Sequence, residues 1–281
     1  MKKDLIHTCQ ITPPTDTEIN RICEIINSNL GFNYNAQKKY LIESRLNKRL
    51  VQLGITSYHE YLGLLKNEPL EQNVLYQHLT TNVTSFFREP AQFDYLRTVL
   101  LPEIRRVKKR KKFRAWSAGC SSGEEAYSLA ITLMEVLGTE WDIKVLATDI
   151  NAEKLQSGMS GEYTKETVNN IPLSWRQKYF KPQGKKDQSY TVNSQLRKKI
   201  VFRLMNLLTE EALPHTLHVD LIFCRNVFIY LSKEARENIL KQFHDRLYSD
   251  GYLFLGHSES ISDVRNQFWI PQGKSIYRKK D

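Results

Sequence analysis

The stretch "WSAGCSSGEEAYSLA", residues 116–130, places small residues and two adjacent acids where a strand pattern passes into a helix pattern. Gly119 and Gly123 let the backbone turn sharply and approach a ligand closely. A turn that binds pyrophosphate reads GxGxxG and directs a helix N-terminus at the phosphates. This turn reads GxxxG, and Glu124 and Glu125 would repel a phosphate. The pattern favours a ligand with a cationic end, although acids also stabilise a helix N-terminus without any ligand.

A third acid, Asp149, ends the apolar run "VLATDI". It follows the glycine turn by about 20 to 30 residues, where an acid at the end of the second strand can accept hydrogen bonds from ribose hydroxyls. S-adenosylmethionine combines such a ribose with an ammonium group and a sulfonium, and it carries no phosphate. The two signals together favour this cofactor. The alternative role for Asp149 is to cap a helix.

The hydrophobic pattern predicts two regions that would position these residues. Residues 15–101 show helical spacing, and capping boxes at "TDTE" and "SYHE" open two of the helices. Further helices are predicted at about 36–53, 71–79 and 91–107. We expect residues 15–101 to form an all-helical N-terminal domain.

The basic run "RRVKKRKK" dominates residues 102–112. We interpret it as a solvated connector, because a nucleic-acid patch would be expected to interleave aromatic residues. In residues 113–281, short apolar runs rich in β-formers alternate with helical patterns, which predicts a parallel sheet covered on both faces. A polar segment at about residues 155–198 has strand-like ends around a Gly-Lys-Lys turn. It predicts an inserted β-hairpin subdomain.

Composition limits the remaining classes. Lys+Arg 41 against Asp+Glu 31 gives a formal charge of +10, which favours acidic partners or serves solubility alone. The cysteines lack CxxC spacing, so we expect neither a metal site nor a disulfide framework. No apolar run approaches the roughly 18 residues of a membrane span, and the N-terminus lacks the apolar core of a signal peptide. We therefore expect a cytoplasmic protein.

Five segments occur in the order typical of the chemotaxis receptor methyltransferase family, the CheR type, and nearly the whole chain resembles that family. The segments are "TNVTSFFREP" at 81–90, "WSAGCSSGEEAYSLA" at 116–130, "FRLMNLL" at 202–208, "DLIFCRNVFIYL" at 220–231 and "GYLFLGHSES" at 251–260. The resemblance implies an α/β fold: a class I (Rossmann-like) methyltransferase sheet with an all-helical N-terminal domain and a small inserted β-hairpin subdomain.

The resemblance also implies the site residues. Arg88 and Tyr230 match the residues that hold the substrate side chain, and they are the catalytic candidates. The positions that match S-adenosylmethionine contacts are Asn82, Thr84, Arg88, Glu125, Asp149, Asn206, Leu207, Arg225 and Asn226. Taken singly, Arg88 could be a surface ion pair and Tyr230 a cover for the sheet edge.

The activity implied is transfer of a methyl group from S-adenosylmethionine to the side-chain carboxylate of a glutamate on a chemoreceptor's cytoplasmic helical bundle. The products are a glutamate methyl ester and S-adenosylhomocysteine. A glutamate carboxylate has a reference pKa of about 4.3, so at neutral pH it is ionised and needs no general base. Two alternatives stay open: methylation of RNA or a small molecule, and a cofactor-binding signalling scaffold.

A basic stripe on the second predicted helix comprises Lys38, Arg45 and Arg49 by their 7- and 4-residue spacing, with Lys48 beside it. The resemblance implies that the stripe docks on the acidic methylation region of receptors; a solvated face is the alternative. Family members that bind a C-terminal receptor pentapeptide carry a glycine-rich loop in the hairpin subdomain. Here the only glycine of that loop is Gly184, so we expect no such tether. We also expect a monomer.

Overall fold

The computed structural model describes residues 11–184, 188–209, 213–214, 216–262 and 268–280. The chain divides into two compact units, residues 1–81 and residues 82–281. This division lies before the residue 101 that we predicted as the end of the helical region. The reason is packing: Phe93, Leu96 and neighbouring side chains are buried in the hydrophobic core of the second unit.

The first unit is helical over its described length. Its helices are α1 (Asp16–Leu30), α2 (Lys39–Leu53), α3 (Tyr58–Asn67) and α4 (Pro69–Leu79). The capping box predicted at Thr15 is confirmed, since its side chain accepts from the Glu18 N–H and the Glu18 carboxylate accepts from the Thr15 N–H. Side chains at helical spacing, such as Ile22, Leu46 and Leu50, are fully buried and form the core of this unit.

The second unit contains two sheets. In chain order the strands are β1 (Lys112–Ala118), β2 (Asp142–Asp149), β3 (Glu162–Thr164), β4 (Phe180–Gln183), β5 (Ser189–Val192), β6 (Ile200–Leu204), β7 (Val219–Cys224), β8 (Leu247–Leu255), β9 (Trp269–Gly273) and β10 (Ile276–Lys279). The larger sheet has seven strands in the order β6-β2-β1-β7-β8-β10-β9. Strand β10 is antiparallel to its neighbours, and the other pairs are parallel. The strand order reverses between β1 and β7, where open α/β sheets bind ligands.

The described part of the second unit also contains eight α-helices. They are α5 (Pro90–Tyr95), α6 (Leu101–Val107), α7 (Glu124–Leu137), α8 (Ala152–Ser160), α9 (Lys165–Val168), α10 (Leu173–Tyr179), α11 (Ser194–Arg197) and α12 (Lys233–Arg246). A π-helical turn at Leu96–Leu100 joins α5 to α6, so the helix predicted at 91–107 is continuous but irregular. Within the described ranges, no helix combines the length and the apolar character that crossing a bilayer requires.

The inserted subdomain is a three-stranded antiparallel sheet in the order β3-β5-β4. Strands β4 and β5 form the predicted hairpin, which the pairing of Phe180 with Val192 and of Gln183 with Ser189 defines. Most of the Gly-Lys-Lys turn, residues 185–187, lies outside the described residues. Gly184 adopts a left-handed conformation at its start.

Only the ends of the basic run predicted as a connector belong to elements of the second unit, and residues 108–111 lie between those elements. Helix α6 extends to Val107, and β1 begins at Lys112. The Lys108 ammonium pairs with the Asp220 carboxylate at the start of β7, which ties this part of the run to the sheet.

Candidate active site

The glycine turn lies at the carboxyl end of β1 and leads directly into α7. Gly119 has a φ of +86°, and a Cβ on it would lie 2.5 Å from the Val227 side chain, so no other residue fits there. The backbone N–H groups of Gly119 and Cys120 both donate to the Thr148 carbonyl at the end of β2. The turn is therefore fixed against the neighbouring strand.

Asp149 ends β2 beside this turn, with only 8% of its surface exposed. Its carboxylate accepts the Ser121 N–H at 2.7 Å and the Asn151 N–H at 2.8 Å. Burial raises the pKa of Asp149, and the backbone N–H groups oppose that rise. Each carboxylate oxygen can accept a further hydrogen bond, as from a ligand hydroxyl. The alternative role that the sequence left open belongs to Asn151, whose side chain caps α8.

The two adjacent acids of the turn do different work. Glu124 folds back, and its carboxylate accepts the Ser122 hydroxyl at 2.8 Å. Glu125 points instead at the Ser117 hydroxyl, 2.7 Å away, and at the Arg225 guanidinium, 3.5 Å away. Burial raises the pKa of Glu125, while the Arg225 charge and the Ser117 hydrogen bond oppose the rise. Glu124 is thus part of the turn, and Glu125 is the acid that belongs to the site.

Arg225, directly after β7, is the buried cation of the site, with 1% of its side chain exposed. Its Nη2 lies 3.1 Å from the Glu89 carboxylate and donates to the Arg88 carbonyl. Its guanidinium also lies 5.5 Å from the centre of the Phe93 ring. Glu89 and Glu125 share this one buried guanidinium, and the charge of the half-buried Arg88 also opposes the raised pKa of Glu125. Two acids thus flank the most buried cation of the site, an arrangement that suits a ligand with a cationic end.

The segment "TNVTSFFREP" carries Asn82, Thr84 and Arg88 and lies against the glycine turn. The Ser121 hydroxyl donates to the Asn82 carbonyl at 3.2 Å, and Arg88 Nη1 donates to the Val83 carbonyl at 2.8 Å. Thr84 is half-buried in the same segment. Tertiary contacts hold two of its residues, Phe87 and Glu89, at positive φ, an uncommon backbone conformation that clusters at functional sites.

The exit of β6 is tied to the same edge of the sheet. The Met205 N–H donates to the Asp149 carbonyl at 2.9 Å, which brings the next two residues to the end of β2. Asn206 accepts the Leu208 N–H through its side chain at 3.0 Å, and Leu207 is half-buried. Both predicted positions therefore lie in the loop that follows β6, the strand next to β2 and Asp149.

The exit loop of β7 carries Asn226 and Tyr230. Asn226 has a φ of +61°, and Tyr230 is half-buried at the end of a short 3-10 turn, Phe228–Tyr230. The loop is held by Glu259, which accepts the Asn226 N–H at 2.9 Å. Our sequence reading quoted the motif "GHSES" but assigned Glu259 no role, and it also missed Glu89. An acid inside a short polar motif after a buried strand was the available signal for Glu259.

Two residues of the basic stripe have hydrogen-bond partners inside the first unit. Arg49 donates twice to the buried Glu71 carboxylate, at 2.6 and 2.9 Å, so its charge is used inside the first unit. Arg45 donates to the Leu79 carbonyl at 2.7 Å and to the Thr81 hydroxyl at 2.8 Å. Sequence spacing places residues on a helix face but cannot reveal a partner from another helix.

The other two residues of the stripe, Lys38 and Lys48, are exposed. Lys38 belongs to a 3-10 turn, Ala36–Lys38, that precedes α2. The regular helix therefore begins at Lys39, one residue after the first residue of the stripe.

Comparison with known proteins agrees with this geometry. Residues 82–276 match the family model "CheR methyltransferase, SAM binding domain", and residues 17–80 match "CheR methyltransferase, all-alpha domain". The chemotaxis protein methyltransferase of Borreliella burgdorferi is 36% identical over 264 residues, 91% of this chain and 92% of the relative. That of Escherichia coli is 36% identical over 270 residues, 94% of this chain and 91% of the relative. Chemotaxis protein methyltransferase 1 of Pseudomonas aeruginosa is 33% identical over 275 residues, covering 94% and 98%.

The fold and the site define a class I methyltransferase that depends on S-adenosylmethionine. The chain belongs to the CheR methyltransferase family. The residues present fit the cofactor: Glu125 and Glu89 outnumber the single buried Arg225, and Asp149 retains acceptor capacity beside a turn that admits only glycine at residue 119.

Proposed function

We propose that this enzyme methylates the side-chain carboxylate of specific glutamates on the cytoplasmic helical bundle of chemoreceptors, in chemotaxis adaptation. The observation that carries the proposal is the buried cluster in which Glu125 and Glu89 share Arg225 at the reversal of strand order. It supports binding of a cationic cofactor at the sheet edge. The match of both family models supports the receptor as the substrate.

We assign cofactor binding to the residues at the carboxyl ends of β1, β2, β6 and β7. Glu125 would face the cationic end of the cofactor, Asp149 the ribose hydroxyls, and Asn206 and Leu207 the adenine ring. Asn82, Thr84, Arg88, Arg225 and Asn226 complete the set. When bound, S-adenosylmethionine supplies a methyl group on a sulfonium, a good leaving group.

The protein's own residues have to orient the acceptor. A glutamate carboxylate is ionised at neutral pH, so the site needs no base to remove a proton. Arg88 uses Nη1 on the Val83 carbonyl, and its remaining N–H groups can hold one carboxylate oxygen. The Tyr230 hydroxyl would donate a second hydrogen bond. Placing the reacting atoms in line can supply about 7–11 kcal/mol of the barrier reduction.

Docking on an acidic receptor bundle would use the exposed Lys38 and Lys48, with Arg45 contributing the part of its surface that stays open. Arg49 is left out because it serves Glu71. We further propose that the enzyme acts as a cytoplasmic monomer and without a pentapeptide tether, since its hairpin loop carries the single glycine Gly184.

The decisive experiment is transfer of a radiolabelled methyl group to receptor-containing membranes, followed by treatment with base. A glutamate methyl ester releases its label as methanol. The matched control is the same receptor with its methyl-accepting glutamates replaced by alanine, which should stay unlabelled. Label that resists base, or label on RNA in place of the receptor, would contradict the proposal. Cofactor binding without transfer to any substrate would favour a signalling scaffold.

A further inference from the structure

Glu259 is a buried acid, 5% exposed, in the loop that follows β8. Its carboxylate accepts three backbone N–H groups: Gly256 at 2.6 Å, Asn226 at 2.9 Å and Ile229 at 3.2 Å. In the described part of the chain it forms no ion pair with Lys, Arg or His. A buried carboxylate is costly unless hydrogen bonds satisfy it. Backbone groups do so here, and they come from two different loops.

The backbone of Glu259 is also held in place. The buried Ser275 donates its hydroxyl to the Glu259 carbonyl at 2.8 Å, and Ser275 adopts a left-handed φ of +57° to do so. The Leu255 N–H at the end of β8 donates to the Ser275 carbonyl. Glu259 is therefore anchored to the rigid end of the sheet, while the groups that it binds belong to loops.

Gly256 explains the spacing of the motif "GHSES". A Cβ at residue 256 would lie 2.8 Å from the Glu259 carboxylate and 2.8 Å from the Asn226 side-chain nitrogen. A side chain there would push the carboxylate and the β7 exit loop apart. Gly256 and Glu259, three residues apart, thus act together to keep the loop after β8 in contact with the β7 exit loop.

The β7 exit loop, which Glu259 holds, carries the site residues Asn226 and Tyr230. Asn226 needs support because its φ of +61° is unusual for a residue other than glycine. Ile229 lies in the 3-10 turn that ends at Tyr230, so its N–H fixes that turn one residue before the tyrosine. We propose that Glu259 is a positioning residue, which sets the β7 exit loop so that Asn226 and Tyr230 reach their places in the site.

The role of Tyr230 in this inference rests on the proposed function, but the arrangement of the loop does not. Glu259→Gln keeps the size of the side chain and replaces one acceptor oxygen by an NH2 group. Because each carboxylate oxygen accepts a backbone N–H, a donor would then face a donor and at least one of these hydrogen bonds would be lost. The matched control is Glu71→Gln, a substitution of an equally buried glutamate in the first unit, 7% exposed.

The first measurement is hydrogen exchange of single amides. We expect the amides of Asn226, Ile229 and Gly256 to be protected in the unaltered enzyme and to lose protection in Glu259→Gln, while the amides of β7 and β8 keep theirs. Unchanged protection of the three amides would overturn the proposal. Loss of protection across the whole sheet would also overturn it, because Glu259 would then serve general stability.

The second measurement is kcat for methyl transfer at saturating cofactor and receptor, counted per molecule that binds S-adenosylhomocysteine in calorimetry. We expect Glu259→Gln to lower kcat by roughly 10- to 100-fold, since misplacement by about 1 Å can cost about 10²-fold. Glu71→Gln should leave kcat per binding-competent molecule unchanged. A normal kcat in Glu259→Gln contradicts a positioning role.

A double-mutant cycle with Tyr230→Phe tests whether Glu259 acts through the tyrosine. We expect the double variant to lose less kcat than the product of the two single losses, because residues that share one function are not additive. Full additivity would separate Glu259 from Tyr230. If the unaltered enzyme methylates no receptor, the proposed substrate is wrong, and the exchange measurement still decides whether Glu259 positions the loop.

Discussion

Each unit of the molecule buries a carboxylate beside an arginine. The two clusters differ in how far hydrogen bonds and neighbouring charges compensate the burial of the acids. In the first unit, Glu71 accepts two hydrogen bonds from Arg49 and one from the Tyr61 hydroxyl at 3.1 Å. Burial alone would raise the pKa of Glu71, but the hydrogen bonds and charge of Arg49 bring it below its usual value. One acid meets one base, and the cluster is complete within the unit.

In the second unit, Arg225 faces both Glu89 and Glu125, and Asp149 accepts only backbone N–H groups. Burial raises the pKa values of Glu125 and Asp149, and their partners only partly oppose it. These acids thus lack the compensation that Glu71 has. A buried ion pair alone therefore does not mark a site, whereas buried acids at a sheet edge whose pKa values stay raised are typical of one.

The largest expected effect is on stability in the first unit. Glu71→Ala leaves the Arg49 guanidinium without its carboxylate, and breaking a buried pair in this way costs about 3–5 kcal/mol. Since 22% of the Arg49 side chain is exposed, we expect the lower end of that range. Urea denaturation measures the change. The control is Glu24→Ala, which removes an exposed pair with Arg21 and should change the unfolding free energy by less than about 1 kcal/mol.

The same variant tests whether the Glu71 cluster contributes to cofactor binding. Glu71→Ala should leave the affinity for S-adenosylhomocysteine unchanged under conditions where the protein is folded. A weaker affinity would show that the cluster of the first unit contributes to cofactor binding, and the comparison between the two clusters would fail.

The next effect is on cofactor affinity in the second unit. Asp149→Ala removes the acceptor expected for the ribose hydroxyls and releases the Ser121 N–H that orders the glycine turn. We expect binding of S-adenosylhomocysteine to weaken by about 1.5–3 kcal/mol, the usual scale for hydrogen bonds to a charged group. Titration calorimetry measures it. Unchanged affinity would remove Asp149 from the site.

The pKa shifts predict that pH acts on the two units in different ranges. Glu125 and Asp149 have raised pKa values, so the folded protein protonates them above the ordinary range of about 4. Because the cationic end of the ligand needs ionised Glu125, and the ribose hydroxyls need ionised Asp149 as their acceptor, affinity for S-adenosylhomocysteine should fall as pH drops from 7 through the raised pKa values. The fall should reach at most about tenfold per pH unit for each group, since one unit is 1.36 kcal/mol.

The pKa of Glu71 is shifted in the opposite direction. Its folded pKa is lowered, so its stabilising contribution is present above the unfolded pKa of about 4.3 and is lost only as pH falls through the lower folded value. As pH falls from 7 to the unfolded pKa of about 4.3, the stability difference between the enzyme and Glu71→Ala should therefore stay constant, whereas cofactor affinity should begin to fall above that pH. An affinity that stays flat down to about pH 4.3 would show that the acids of the site do not have raised pKa values.

The smallest expected effect concerns receptor docking. Reversing the exposed Lys38 and Lys48 to glutamate should raise the apparent KM for receptor by roughly two- to thirtyfold, because exposed charges contribute about 0.2–1 kcal/mol each. The salt dependence of KM should also flatten, since salt screens exposed charges. Lys66→Glu is the control, as Lys66 is also exposed in the first unit. If it raises KM equally, net charge decides docking and the stripe does not.

Arg49→Glu would be a poor test of docking. It would place a carboxylate against the buried Glu71, so any loss of receptor methylation would follow from damage to the first unit. Sequence spacing assigns Arg49 to a partner protein, but in the folded first unit Arg49 already pairs with Glu71.

Much of the fold could be predicted from local pattern. The helical spacing and the Thr15 capping box marked α1, and alternating apolar runs marked the parallel strands, because burial of one helix face or of both sheet faces imposes these periods. The boundary at residue 81 could not be predicted in this way. The segment after it has the same helical period as the segments before it, and only packing assigns it to the second unit.

By itself, the sequence determined that Gly119, Glu125 and Asp149 would meet, because the carboxyl ends of parallel strands share one edge of the sheet. The family resemblance assigned Glu125 to the cofactor, but only the tertiary structure shows the physical difference between the two adjacent acids: Glu125 faces Arg225 while Glu124 closes the turn. The same holds for Glu259, whose partner Asn226 lies 33 residues away in the chain. A hydrogen bond over that separation has no local signature, so it exists only once the strands have paired.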